Sequence, residues 1–147
     1  MIYKIDQSGK IEDTHKLTIV AFANGRFKSL KISATEKQKL LIIMREFDFP
    51  KKTYIYKIFS GLIFLLLKKE RIEEIIIDKE YPGHEATIKN IILQLFNKTK
   101  IKAPFISFNT IGKQSSVHKV ALEVFRGKRK ADIEVNSKQI LNLFYRK

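Results

Sequence analysis

Asp6, Asp78, Glu80 and His118 are the residues of this chain whose types and spacing could do chemistry. Asp78 and Glu80 follow three isoleucines in the stretch IIIDKEYPGHE, and Asp6 follows the apolar residues of MIYKIDQSGK. Carboxylates placed where apolar strands run out repel one another unless a cation neutralises them. Hard oxygen ligands of this kind suit Mg2+ or Mn2+. Two such ions roughly 4 Å apart activate a water and stabilise the leaving oxygen of a phosphodiester. Taken singly, each acid has a plainer use. Asp78 could accept turn hydrogen bonds, and Glu80 could pair with a neighbouring lysine in solvent. His118 lies in IGKQSSVHKVA, where an imidazole can ligate a metal or transfer a proton; a partly buried helix histidine bonded to backbone is the plainer alternative. His84 and Glu85 read as cap or exposed residues, and His15 falls in a polar loop.

These residues matter only if the fold brings them together. MIYKIDQSG alternates as a short strand, with Tyr3 and Ile5 on one face and Lys4 and Asp6 on the other. LTIVAFA and RFKSLKIS flank Asn24-Gly25, the strongest short hairpin signal, in which both turn residues take positive φ. A three-stranded antiparallel meander is predicted. The period then changes. Ser33 or Thr35 can cap a helix through ATEKQKLLIIMREF, with Leu40, Leu41, Ile43, Met44 and Phe47 on one broad face, and Pro50 ends it. A richly apolar second helix is expected from Lys52 to Lys69. EEIIID is a strand, Pro82-Gly83 turns the chain, and HEATIKNIILQLFNK is amphipathic. APFISFN is a strand, SSVHKVALEVFRGK a helix capped by Ser115 or Ser116, RGKRKAD a basic linker, and Ser137 to Tyr145 a final helix.

The order β-β-β-α-α-β-α-β-α-α predicts an α/β domain spanning 1–147, a mixed five-stranded sheet flanked by helices. In such a sheet the first strand can sit at the topological switch point, beside the fourth, and ligands bind outside the strands' carboxyl ends there. That adjacency sets Asp6 next to Asp78. Glu80, two residues on, reaches the same face if the backbone stays extended.

The 147 residues suffice for one ordinary core. The 29 Lys and Arg against 15 Asp and Glu leave a formal charge of +14, self-repulsion that a polyanion would relieve. Nucleic acid is the first candidate. A peripheral membrane role fits poorly, because the apolar helices are too broadly hydrophobic to lie in an interface. SGLIFLLL is far short of the roughly 20 residues a spanning helix needs, so no integral membrane association is expected. The absence of cysteine excludes disulfides and thiolate zinc sites and fits a cytoplasmic protein. The opening MIYKIDQSGK does not read as a secretion signal, since Lys4 interrupts it.

The strand and helix order, the Asp in IDQSGK, the carboxylates closing IIIDKE and the late helix opened by IGKQSSVHKVA together resemble the ribonuclease H-like superfamily, from Met1 to about Gly127. The superfamily includes ribonucleases H, Holliday-junction resolvases and Argonaute nuclease domains. The resemblance implies that Asp6 and Asp78 or Glu80 hold Mg2+ or Mn2+ and that His118 completes a catalytic site. It implies a nuclease hydrolysing RNA, DNA or a hybrid. The chain departs from the pattern twice: Gln7 stands where some members carry a second acid, and no Asp stands in the late helix, the nearest acids being Glu123 and Asp132. The alternative expectation is a basic nucleic-acid-binding protein of the same fold without catalysis, such as a ribonucleoprotein subunit.

Lys113, Lys119, Arg126, Lys128, Arg129 and Lys130 form one basic group expected to contact nucleic acid, and Lys51, Lys52, Lys68, Lys69 and Arg71 form a second. Lysine and arginine contacts to phosphate give affinity with a steep salt dependence and no sequence reading. Lys113 would meet a phosphate at the start of the late helix, together with free backbone N–H groups. Most phenylalanines fall on core faces. Tyr54, Tyr56 and Tyr81 are the candidate stacking residues, Tyr81 because it flanks the acids.

Overall fold

One strand of the sheet is buried throughout. In the computed structural model, which describes residues 2–48 and 53–145, Thr18–Ala23 is buried along its whole length. A strand buried on both faces needs no alternation. It is β2 of a six-stranded mixed sheet ordered β5-β4-β1-β2-β3-β6. The strands are β1 (Ile2–Ser8), β2, β3 (Phe27–Ile32), β4 (Glu74–Asp78), β5 (Phe105–Asn109) and β6 (Ile133–Val135). The helices are α1 (Ala34–Asp48), α2 (Tyr54–Leu67), α3 (Glu85–Lys98), α4 (Ser116–Phe125) and α5 (Ser137–Tyr145).

The antiparallel meander forms, with Lys4 opposite Ala23 and Ala23 opposite Phe27. Its turn differs from expectation. The register leaves three residues, Asn24 to Arg26, in the loop, and only Gly25 takes positive φ (73°). Asn24 instead spends its side-chain amide on the Ile2 carbonyl, and its N–H on the Arg26 carbonyl. A side chain committed to the neighbouring strand outweighs the intrinsic preference of Asn-Gly for a two-residue turn.

The sixth strand corrects the expected five. Ile133–Val135 lies in the stretch after RGKRKAD and pairs parallel with Leu30–Ile32. Three residues are too few to show a period in sequence. Asp132 registers the pair: its carboxylate accepts from the Ser29 N–H (2.9 Å) and its own N–H donates to the Ser29 carbonyl (3.1 Å).

Helices cover both faces unequally. On one face α2 is buried from Ile58 to Leu67 and packs with α3 against Tyr3, Ile5, Phe22, Ile75 and Ile77. Each fully buried Ile, Leu or Phe there contributes about 2 kcal/mol. On the other face α4 packs Val117, Val120, Ala121 and Val124 onto Ile19, Ala21 and Ala23 of β2. The two alanines let the helix approach closely. Helix α1 begins at Ser33, whose hydroxyl accepts the Glu36 N–H. Its buried stripe is Leu40, Leu41 and Met44, narrower than expected: Ile43 and Phe47 point outward, and Phe47 stacks on Tyr145 at 4.5 Å. Pro50, Lys51 and Lys52 lie outside the described residues. Among the described residues, no helix is long and apolar enough to cross a membrane.

Candidate metal centre

The sheet order makes β1 and β4 parallel neighbours, with Ile5 opposite Ile77. One step further along each strand, Asp6 and Asp78 therefore stand side by side at the carboxyl end. Alternation sets Tyr3, Ile5, Ile75 and Ile77 into the α2 face and turns both aspartates toward α4. Glu80 joins them by another route than expected. The backbone is not extended; the Glu80 N–H bonds the Asp78 carbonyl (2.8 Å) in a tight turn, while the Lys79 N–H bonds the Asn109 carbonyl. One carboxylate oxygen from each of Asp6, Asp78 and Glu80 lies within 4.8 Å of the others.

Both aspartates are held. Asp6 accepts the Gln7 N–H (2.8 Å) through one oxygen and meets His118 Nδ1 (2.9 Å) through the other. Asp78 accepts the Ile111 N–H at 2.7 Å, which fastens the loop between β5 and α4. Ser115 caps α4 by accepting the His118 N–H, so the cap fixes the residue that holds Asp6. Burial pushes the Asp6 carboxyl above its ordinary value, against the lowering pull of His118 and the Gln7 N–H, and the charge on Asp78 adds to the rise. Burial pushes Glu80 up to about 7, helped by the charges of Asp78 and Asp6. The three acids thus crowd one another, and a bound cation would relieve that crowding. An all-oxygen donor set of this kind fits Mg2+ or Mn2+.

The acids open into a cleft of about 560 Å³ whose rim carries Lys10, Lys16, Lys79 and Lys113, together with Asp13. All four lysines are exposed, and among the described residues none makes an ion pair. Of the expected basic group, Lys113 alone lines this cleft. Lys119, Arg126 and Lys128 line a separate hollow on α4. Arg129 and Lys130 line another beside β3 and β6, where Arg129 pairs with Glu123 (3.4 Å) and lies over Phe27. In the second basic group Lys68 and Lys69 border hollows beside α5, away from the acids, and Lys51 and Lys52 lie outside the described residues. The late acids serve elsewhere, Glu123 with Arg129 and Asp132 with Ser29.

No protein-family model matches this chain, and no curated protein does. Geometry alone therefore carries the reading of the cleft.

Tyr81 has an internal place. Its ring meets Phe59 and Tyr56 edge-on, and its hydroxyl bonds the Gln7 side chain (3.2 Å). Tyr54 lies under Arg45, and Tyr56 stacks on His84 at 4.2 Å. Glu85 accepts the Gly83 N–H, and the His15 N–H bonds Asp13. Gln7, in place of a second acid, turns away from the carboxylates and donates to Tyr81 and to the Gly9 carbonyl (3.2 Å).

Sequence reading missed Lys37. It is wholly buried, and its ammonium donates to the Lys10 carbonyl and to Thr18 Oγ1, both at 3.0 Å. Burial pulls it down to about 8, opposed by the charges of Asp13 and Glu12. The signal was spacing: Lys37, Leu41 and Met44 share one stripe of α1 at i, i+4 and i+7.

Proposed function

We propose that the chain is a divalent-metal-dependent nuclease with a ribonuclease H-like arrangement, hydrolysing phosphodiester bonds of nucleic acid. The observation that carries this reading is the convergence of Asp6, Asp78 and Glu80 within 4.8 Å at the end of two adjacent parallel strands. The exposed lysines around them supply the setting for a polyanion. Asp6, Asp78 and Glu80 would hold Mg2+ or Mn2+. Bound there, such an ion activates water and stabilises the leaving oxygen. The protein's own part is positional. Backbone N–H groups of Gln7 and Ile111 orient the two aspartates, each through one carboxylate oxygen. His118, bonded to Asp6 through Nδ1, can carry a proton between the cleft and solvent on its other ring nitrogen. Lys113 would bind a phosphate.

The test is cleavage of hybrid, branched and single-stranded substrates with Mn2+. Wild type should cut at least one of them, and Asp6→Asn and Asp78→Asn should lose activity about a hundredfold or more. If wild type cuts nothing, or both variants cut as well as wild type, the reading fails.

A second reading, a basic nucleic-acid-binding protein without catalysis, draws on one observation. The two places where superfamily resemblance leads one to expect further acids hold Gln7, turned inward, and His118, already bonded to Asp6. Calorimetric titration with Mn2+ separates the two, since only the nuclease requires the ion.

A further inference from the structure

The loop between β1 and β2, residues 9–17, is fastened more thoroughly than an ordinary connection. Lys37 holds its first turn from beneath through the Lys10 carbonyl. Gln7 holds the Gly9 carbonyl, and Gln38 holds the Thr14 carbonyl at 2.7 Å. Gly9 itself sits at φ 82°, pressed so close to the Leu17 carbonyl and the Phe125 ring that a side chain there would collide with both. Ile11 is fully buried and plugs the loop into the core. Loops usually tolerate variation because little holds them. Here three side-chain anchors, one of them a desolvated ammonium, fix a segment whose residues on the cleft rim include Lys10 and Lys16, with Asp13 between them. Burying a lysine is costly even when it is hydrogen-bonded. A leucine or methionine at position 37 would fill the same stripe at lower cost, without reaching the loop backbone. The cleft's other lysines, Lys79 after β4 and Lys113 before α4, come from separate segments. The acids thus lie among cations supplied by three connections.

We propose that residues 9–17 are a preformed arm that grips a nucleic-acid strand through Lys10 and Lys16, with Lys79 and Lys113 completing the grip, so that the strand runs across the carboxylates instead of ending at them. Lys37 is its positioning residue. The proposal rests on the reading of this cleft as a nucleic-acid site, but it concerns binding and not cleavage. It can therefore be tested with chelator present and no metal, and it stands or falls separately from catalysis.

The probe is a fluorescent single-stranded oligonucleotide about 20 nucleotides long, titrated over about 50 to 200 mM salt. Each lysine that contacts a phosphate contributes about 0.7 to the slope of log affinity against log salt on a single strand. Lys10→Ala and Lys16→Ala should each lower the slope by about that amount. Lys102→Ala, at the amino end of β5 and hence the opposite end of the sheet, should leave it unchanged. A closed circular oligonucleotide should bind as tightly as the linear one. Lys37→Met should weaken binding with the slope unchanged, because the same charges finally meet the strand. Its loop amides, residues 10–16, should exchange with deuterium faster while the sheet amides do not. Slopes unchanged in Lys10→Ala and Lys16→Ala, an equal fall in Lys102→Ala, or failure of the circle to bind would each overturn the grip. Unchanged loop exchange and affinity in Lys37→Met would overturn the role of Lys37.

Discussion

Lys37→Met tests the energetics of the buried ammonium directly. In the folded chain Lys37 titrates at about 8, against 10.5 when unfolded. Its folded value is depressed, so between those two pH values the unfolded chain binds more protons than the folded one. Stability then rises with pH through that window. Below pH 8 the ammonium is charged in both states, and the full cost of burying it is present. Two and a half pH units at about 1.36 kcal/mol each set a ceiling of roughly 3.4 kcal/mol. Between about pH 7 and pH 10 the recovered part is roughly 2.5 kcal/mol, since at pH 10 the unfolded lysine has only begun to lose its proton. Methionine has a similar length and nothing to titrate. The assay is urea unfolding of both proteins at the two pH values. Subtracting one from the other cancels every group they share. Lys37→Met should hold its largest advantage near pH 7, and wild type should gain on it by about 2.5 kcal/mol by pH 10. Parallel pH profiles for the two proteins would refute the reasoning, and so would a variant that gains on wild type as pH rises.

Two further predictions concern the cleft. Glu80 has its folded value raised from 4.5 to about 7, so without metal the folded state holds the extra proton and stability falls as pH rises through that window. Glu80→Gln should therefore be more stable than metal-free wild type by on the order of 1–2 kcal/mol near pH 8 and by much less near pH 5, read by chemical denaturation in chelator; a gap that narrows with rising pH would contradict it. Gly9→Ala meets both a positive φ and a collision with the Leu17 carbonyl, and should lose about 3 kcal/mol or more of stability in the same assay; a loss under about 0.5 kcal/mol, the range of an unremarkable surface change, would show that the turn is not constrained as described.

Much of the arrangement was legible in the sequence, for identifiable reasons. The strand IIIDKE ends in a change from apolar to charged residues, which fixes both its location and its exit. Asp6 next to Asp78 was one arrangement open to a mixed sheet whose first strand sits at the switch point, and the sheet order takes it. Two helix starts were legible to within a residue or two, because a hydroxyl there satisfies an otherwise free N–H; of Ser33 or Thr35 and Ser115 or Ser116, the caps are Ser33 and Ser115. Other features left weaker traces. Ile133–Val135 is a strand because β3 offers it a partner about a hundred residues earlier, and three residues carry no period of their own. The turn that brings Glu80 to the aspartates depends on the Asn109 carbonyl, which belongs to β5. The inward turn of Gln7 depends on Tyr81, contributed by the segment after β4. Lys10 and Lys16 look like any other lysines in a chain with 29 Lys and Arg; only the cleft distinguishes them.

The parallel pairing of β3 with β6 has a kinetic consequence. Ser29 and Asp132, which register that edge, are 103 residues apart in sequence. The pair that sets the acids side by side, β1 with β4, joins segments separated by β2, β3, α1 and α2. Only the meander is local. Closing such long loops costs entropy before any pairing rewards it, so folding should be slow for a domain of this size, with the meander and α2 as the natural nucleus. Until Ile133–Val135 docks, β3 is an open edge able to pair with another chain. Lys28 and Lys31 on that strand supply like charge against such pairing, and in the folded protein they are paired with Glu70 and Glu134. The smallest strand of the sheet is thus its closing seal.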